Sequence, residues 1–239
     1  MHIGVSVRNG MNRLELDGVY AGYGREDVLR GIDAAVPEGA VTALVGPNGS
    51  GKSTLLGLMA GTVGVRRGGV RASRPTRPAF VVQRSAVPDA LPVTVREAVA
   101  MGRWAHRGFW RPLTRRDRAV VAECLDRLDV ADLAERRLGE LSGGQRQRVL
   151  IAQGLAQEAD LLLLDEPSAG LDHRAREYVR RVLERARADG VTVVHATHAP
   201  DEAFDADHCL VLAGGRIAAS GPPEEAARAW EGARGAGFR

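Results

Sequence analysis

The segment Gly46-Pro47-Asn48-Gly49-Ser50-Gly51-Lys52-Ser53-Thr54 constrains this chain more than any other. It lies between an apolar, β-branched run, Val41-Thr42-Ala43-Leu44-Val45, and an apolar helical pattern, Leu55-Leu56-Gly57-Leu58-Met59-Ala60, so it reads as strand, glycine-rich loop, helix. Gly-x-x-x-x-Gly-Lys-Ser in that setting is a phosphate-binding P-loop. Successive backbone N–H groups cradle phosphates, the lysine reaches the β- and γ-phosphates, and the hydroxyl holds Mg²⁺. The helix starting at the loop aims its unpaired N–H groups and positive dipole end at the same anions. Lys52 is the one lysine among the 33 lysine and arginine residues. A compact ammonium on a flexible stem suits this position, whereas arginine's planar fork is larger and directional.

With 239 residues the chain can bury an ample core as one compact unit, expected over 12–223 with a tail at 224–239. The formal charge of +3 is nearly balanced, so the pI near 9.3 reflects an arginine excess and no polyanion-binding tract. Arg66-Arg67, Arg71 to Arg77 and Arg111 to Arg116 read as solvated faces. The stretch from Arg66 to Pro78 reads as loop-like and rich in proline and arginine. Cys124 and Cys209 lack metal-ligand spacing and read as two reduced thiols in a cytoplasmic protein. No apolar run approaches the roughly 20 residues needed to span a bilayer, so membrane work requires a separate integral partner.

A second motif lies in Leu161-Leu162-Leu163-Leu164-Asp165-Glu166-Pro167, an apolar run that ends in two carboxylates. Continuous apolar runs are the mark of strands buried on both faces in parallel sheets, and ligands bind at their carboxyl ends. Asp165 is expected beside the P-loop, holding Mg²⁺ with Ser53, while Glu166 orients the water that attacks the γ-phosphate. A third motif, Leu141-Ser142-Gly143-Gly144-Gln145, opens a helix running through Leu150, Ile151 and Leu155. Ser142 is a good N-cap, and the glycines leave N–H groups unobstructed at a second anion-binding helix end. One nucleotide does not need two such ends from one chain, so this end is expected to complete the site of another subunit.

Leu141 to Gln145 resembles the signature motif of ATP-binding cassette (ABC) ATPases, and the rest of the chain follows that family's order. The resemblance implies an α/β P-loop NTPase with a parallel-sheet, RecA-like lobe, a small antiparallel β-subdomain and a helical subdomain at about 84–140. It also implies roles. Tyr23 resembles the aromatic that stacks on adenine, and Gln83 the Q-loop glutamine that touches Mg²⁺. Ser168-Ala169-Gly170-Leu171-Asp172 resembles the D-loop, and His198 the switch histidine at the γ-phosphate. Catalysis then falls to Lys52, Glu166 and His198, with nucleotide binding by Tyr23, Gly46 to Thr54, Gln83 and Ser142, Gly143, Gly144 and Gln145. Ser53, Gln83 and Asp165 would hold Mg²⁺. Two departures are Ala199, where the family often has aspartate, and Gln153-Gly154, where arginine-alanine is more usual. His195 and His198 form a His-x-x-His pair, but residues three apart on a strand diverge, which favours the switch over a metal site.

The resemblance implies an ATPase subunit peripheral to the cytoplasmic face of a membrane, homodimeric on ATP, serving a permease and, indirectly, an extracytoplasmic solute-binding protein. The stretch Val87 to Val95 followed by Val99 to Trp110 places aromatics among arginines, a mixture that suits an interface. The same stretch, with Leu113 to Arg118, is similar to manganese and zinc importers, so import of one of those divalent ions is expected; the alternative is an iron-siderophore or cobalamin importer, which carries a related Gly-Arg-x-x-His pattern, here Gly102-Arg103-x-x-His106. The alternative of an ABC ATPase acting on nucleic acid or ribosomes would call for a long coiled coil, a zinc insertion or two cassettes.

Overall fold

The computed structural model describes residues 12–75, 77–83, 92–108, 110–199, 203 and 205–228. Residues 84–91, Phe109 and 229–239 of the expected tail, which carry part of the sequence reading, lie outside them.

The apolar runs assemble into one six-stranded sheet. Its strands are β3 (Val41–Val45), β5 (Ala79–Val81), β6 (Leu161–Asp165), β7 (Thr192–Thr197), β8 (His208–Ala213) and β9 (Arg216–Gly221), in the order β5-β6-β7-β3-β8-β9. All neighbours pair in parallel except β9, which returns antiparallel to β8. Each residue of β3 and β6 is buried because the sheet is covered on both faces. Alternation along β6 shows this directly: Leu162 and Leu164 pack into one core, Leu161 and Leu163 into the other.

On one face lie α1 (Lys52–Met59) and a separate antiparallel sheet of β2 (Leu29–Pro37), β1 (Asn12–Ala21) and β4 (Val65–Ala72), in that order. Leu14, Leu16, Ile32 and Val36 from that small sheet share a core with Leu55, Leu58 and Leu210. The other face is covered by α5 (Gly143–Leu155) and α6 (His173–Ala188), backed by α2 (Val95–Met101) and α4 (Arg115–Arg127); the short α3 (Trp104–Arg107) lies between them in sequence.

The arginine-rich stretch corrects one expectation. Residues 65–72 are not loop but strand β4, at the edge of the small sheet and paired with β1. An edge strand leaves one row of backbone N–H and C=O groups unpaired, and charged side chains there keep the edge from pairing with another chain. The arginines are solvated yet paired. Arg71 meets Glu15 and Asp17, Arg74 meets Glu38 and Asp160, and the fully buried Arg13 adds a bidentate contact to Asp160 at 3.0 and 3.1 Å.

Trp110 is 90% exposed, so it does not fill a core. Cys124 and Cys209 are buried, unpaired thiols whose pKa values burial raises to about 11. No described helix is long and apolar enough to cross a membrane.

Candidate active site

The P-loop takes its shape from two glycines in conformations that L side chains rarely adopt, Gly49 at φ 78° and Gly51 at φ 105°. A third is required by space, since a Cβ on Gly46 would lie 2.5 Å from the Leu212 carbonyl oxygen. No side chain caps α1, so the N–H groups of its first turn are left to a ligand. The Ser50 hydroxyl is buried in the loop without a hydrogen-bond partner among the described residues, an orphan that an additional acceptor or donor would satisfy. These features fit a polyphosphate. Lys52 is 6% exposed, and its amine folds back to donate to the carbonyls of Gly46 at 2.9 Å and Pro47 at 3.1 Å. Burial lowers its pKa, against the opposing pull of Glu166 and Asp165.

Strand β6 delivers its two carboxylates to this loop although β7 lies between it and β3. Asp165, at the strand's last position, accepts a hydrogen bond from the Ser53 hydroxyl; burial raises its pKa, and that bond opposes the rise. A hydroxyl beside a carboxylate is a hard oxygen pair, the donor set Mg²⁺ prefers. Glu166 follows in the left-handed region at φ 48°, a conformation costing a non-glycine residue about 1–3 kcal/mol and typical of functional sites. Its N–H donates to Ala196 of β7, which fixes the turn. The Glu166 carboxylate then gathers three partners: Gln83 Nε2 donates to it at 3.3 Å, His198 Nδ1 lies 3.4 Å away and Lys52 Nζ 3.7 Å away.

His198 is half exposed just beyond β7, whereas His195 on the strand is 6% exposed and faces a different cavity, of about 220 Å³, beneath α6. The two rings diverge. No cluster of three or more His, Cys, Asp or Glu side chains able to hold a metal occurs among the described residues. After His198 the chain is held by the Ala199 N–H donating to the Thr197 hydroxyl at 3.0 Å, a local turn that does not use the family's aspartate.

Tyr23 is 60% exposed, on a loop whose far end packs on the P-loop: a Cβ on Gly51 would touch Leu29 and Val28 side chains at 3.1 and 3.2 Å. Ser142 caps α5 through a capping box with Gln145. Ser142, Gly143, Gly144 and Gln145 line an open cavity of about 850 Å³ with Asp172, Arg174 and Tyr178, none of which belongs to the Lys52 cluster. The chain thus presents two separate surfaces.

Two features were visible in the sequence as patterns but not as contacts. Gly154 sits where α5 presses on the sheet, for an added Cβ would lie 2.5 Å from Val81 and 3.2 Å from Leu162; this accounts for glycine where the family usually has alanine. The Gly-Arg-x-x-His pattern is a clasp on the C-terminal end of α5. A Cβ on Gly102 would meet the Gln153 carbonyl at 2.3 Å, Arg103 donates to the Ala156 carbonyl at 2.7 Å, and His106 bonds the Gln157 carbonyl. Nothing in the local spacing marks those partners.

Fold and site together define a P-loop nucleoside triphosphatase with a second glycine-rich helix start, capped by Ser142, on a separate surface. The ABC transporter family model matches residues 29–169, and the chain belongs to that family, whose ATP-binding cassettes hydrolyse ATP. It is 45% identical over 218 residues to the hemin import ATP-binding protein of Streptomyces coelicolor, covering 87% of this chain and 77% of that one. A manganese transport system ATP-binding protein of Listeria monocytogenes is 34% identical, over 89% of this chain and 91% of its own. A solved ABC transporter of the metal-chelate type, in an inward-facing conformation, superposes with a TM-score of 0.81 at 30% identity, over 90% and 84% of the two chains.

Proposed function

We propose that this chain is the ATPase subunit of a metal importer, driving a separate integral permease by closing and opening as a homodimer around ATP. The observation that carries the hydrolytic part is the Glu166 carboxylate held at once by Gln83, His198 and Lys52, beside a P-loop with an orphaned hydroxyl. In this reading the N–H groups of Gly49 to Thr54 and the Lys52 amine bind the β- and γ-phosphates, and Tyr23 stacks on the base. Ser53, Asp165 and Gln83 would hold Mg²⁺, which supplies charge neutralisation at the phosphates. Glu166 accepts a proton from the attacking water, and His198 holds the carboxylate and the γ-phosphate in register. Ser142 to Gln145 serve the nucleotide of the second subunit, consistent with their lying on a separate surface.

The lobe at about 84–140 is the docking face, its partner side marked by Trp110 and Trp104, 90% and 36% exposed among arginines. The chain would therefore work at the cytoplasmic face of the membrane, with a solute-binding protein on the far side. For cargo, the higher identity to the hemin import protein and the Gly102-Arg103-x-x-His106 pattern favour a metal chelate such as a metalloporphyrin. Free manganese or zinc is the second reading, supported by the relative of that class.

The test is to isolate the tagged chain from its native membranes in mild detergent and to measure cellular haem-derived iron, manganese and zinc after deletion. A co-isolated integral permease that stimulates ATP turnover, with loss of chelate-derived iron, supports the reading. Loss of manganese or zinc alone selects the second cargo, and tight nucleic-acid binding at physiological salt refutes transport.

A further inference from the structure

The loop carrying Tyr23 is tethered by the arginine-rich strand opposite it. Residues 22–28 leave β1 through a tight reversal, in which the Glu26 N–H donates to the Tyr23 carbonyl and the Val28 N–H to that of Ala21. Gly22 is required there, because a Cβ would lie 2.1 Å from the Glu26 carbonyl oxygen. Within this loop Asp27 is the anchor. One of its oxygens takes Arg66 at 2.8 Å and the other takes Arg67 at 3.0 Å, both from β4. Arg66 spends its second amino group on the Gly24 carbonyl at 2.9 Å, directly after Tyr23. The Arg67 guanidinium also lies over the Tyr20 ring, 4.0 Å from its centre, and Tyr20 and Arg67 are cross-strand partners. The fork of one arginine therefore ties both ends of the Gly24–Asp27 turn to a strand of the small sheet, while the loop's exit packs on the P-loop glycine Gly51.

We infer that Arg66, with Asp27, is a positioning residue for the nucleotide base: it acts through Tyr23 by fixing the loop that presents the phenol ring. This rests on the proposed stacking role of Tyr23. Tyr23 itself is 60% exposed, so the ring's presentation depends on how its backbone is held. An arginine suits the task because its planar fork reaches two acceptors in fixed directions, whereas an ammonium is a point charge. Ordering a loop before binding lowers the entropy lost on binding, so removing the tether weakens affinity more than the chemical step.

The experiment is a double-mutant cycle on the whole chain, reading KM for ATP, kcat and thermal stability in wild type, Tyr23→Ala, Arg66→Ala and the double variant. Asp27→Ala and Arg66→Lys accompany them. Arg66→Ala and Asp27→Ala should each raise KM for ATP by about threefold to fivefold, with kcat within about twofold, as expected for a partly exposed ion pair acting on a loop. Arg66→Lys should recover part of that loss. In the Tyr23→Ala background, Arg66→Ala should add nothing further. An unchanged KM in Arg66→Ala alongside a raised KM in Tyr23→Ala overturns the tether and leaves stacking intact. Full additivity in the double variant also overturns it, since Arg66 would then act without Tyr23. An unchanged KM in Tyr23→Ala overturns the stacking reading, and the tether's role in base binding with it.

Discussion

Replacing Arg103 by alanine should cost more stability than any change on the molecule's surface. The Arg103 and Asp117 side chains are each 4% exposed and joined at 3.0 Å. The same guanidinium donates to the Ala156 carbonyl and the Glu158 carboxylate, both at 2.7 Å, tying the start of α4 to the end of α5. Removing one member of a buried pair typically costs about 3–5 kcal/mol, because the partner is left charged and unpaired. Here the lower end applies. Asp117 keeps its capping-box contacts with the Thr114 hydroxyl and N–H, which are the main cause of a pKa far below the usual carboxylate range, ahead of Arg103. In a chain of this size each kcal/mol moves Tm by about 2–4 °C, so a loss of about 3 kcal/mol gives a fall of about 6–12 °C by circular dichroism. A carboxylate with a depressed pKa contributes stability above its unfolded value and loses it as pH falls through the folded one. The difference between wild type and variant should therefore hold from neutral pH down past pH 4 and shrink only in stronger acid. A fall below about 2 °C at pH 7 would refute the reasoning, since it would mean the pair is neither dry nor needed.

Two further perturbations probe the packing around the site. Gly154→Ala should destabilise by about 1–3 kcal/mol, as overpacking does, because the new methyl would lie 2.5 Å from Val81; an unchanged urea midpoint would show that α5 can move. His195 is buried with its pKa lowered to about 4 by desolvation. The unfolded chain takes up a proton near pH 6.5 and the folded one does not, so stability is full above that pH and falls towards pH 4, by at most about 3 kcal/mol. His195→Leu should flatten that acid limb between pH 7 and 4.5, and an identical limb in the variant would contradict it.

What was legible in the sequence follows from what is local. Val41–Val45 and Leu161–Asp165 could be read because burial on both faces leaves runs that are apolar or β-branched throughout, broken only by the terminal Asp165. Ser142 could be read as a cap because its partner, Gln145, is three residues away. Strand β4 could not: its arginines hide the pattern, and its conformation is set by pairing with β1 and by carboxylates such as Asp27 and Asp17. The clasp of Gly102, Arg103 and His106 was visible as a pattern but not as a contact, since its partners lie about the end of α5. Gly154 likewise looked arbitrary until Val81 was placed against it. The left-handed backbone of Glu166 has no local signature either, being imposed by the turn onto β7.

The proposal most open to direct test is that Glu166 takes the proton from the water attacking a nucleotide held at the Lys52 loop. Phosphate release should be measured with Glu166→Gln and wild type side by side, together with ATP-dependent association of the chains by light scattering. The variant should bind ATP and associate while turnover falls by about 10²- to 10⁴-fold, the usual worth of a general base. Wild-type turnover in Glu166→Gln, with ATP-dependent association intact, would contradict it.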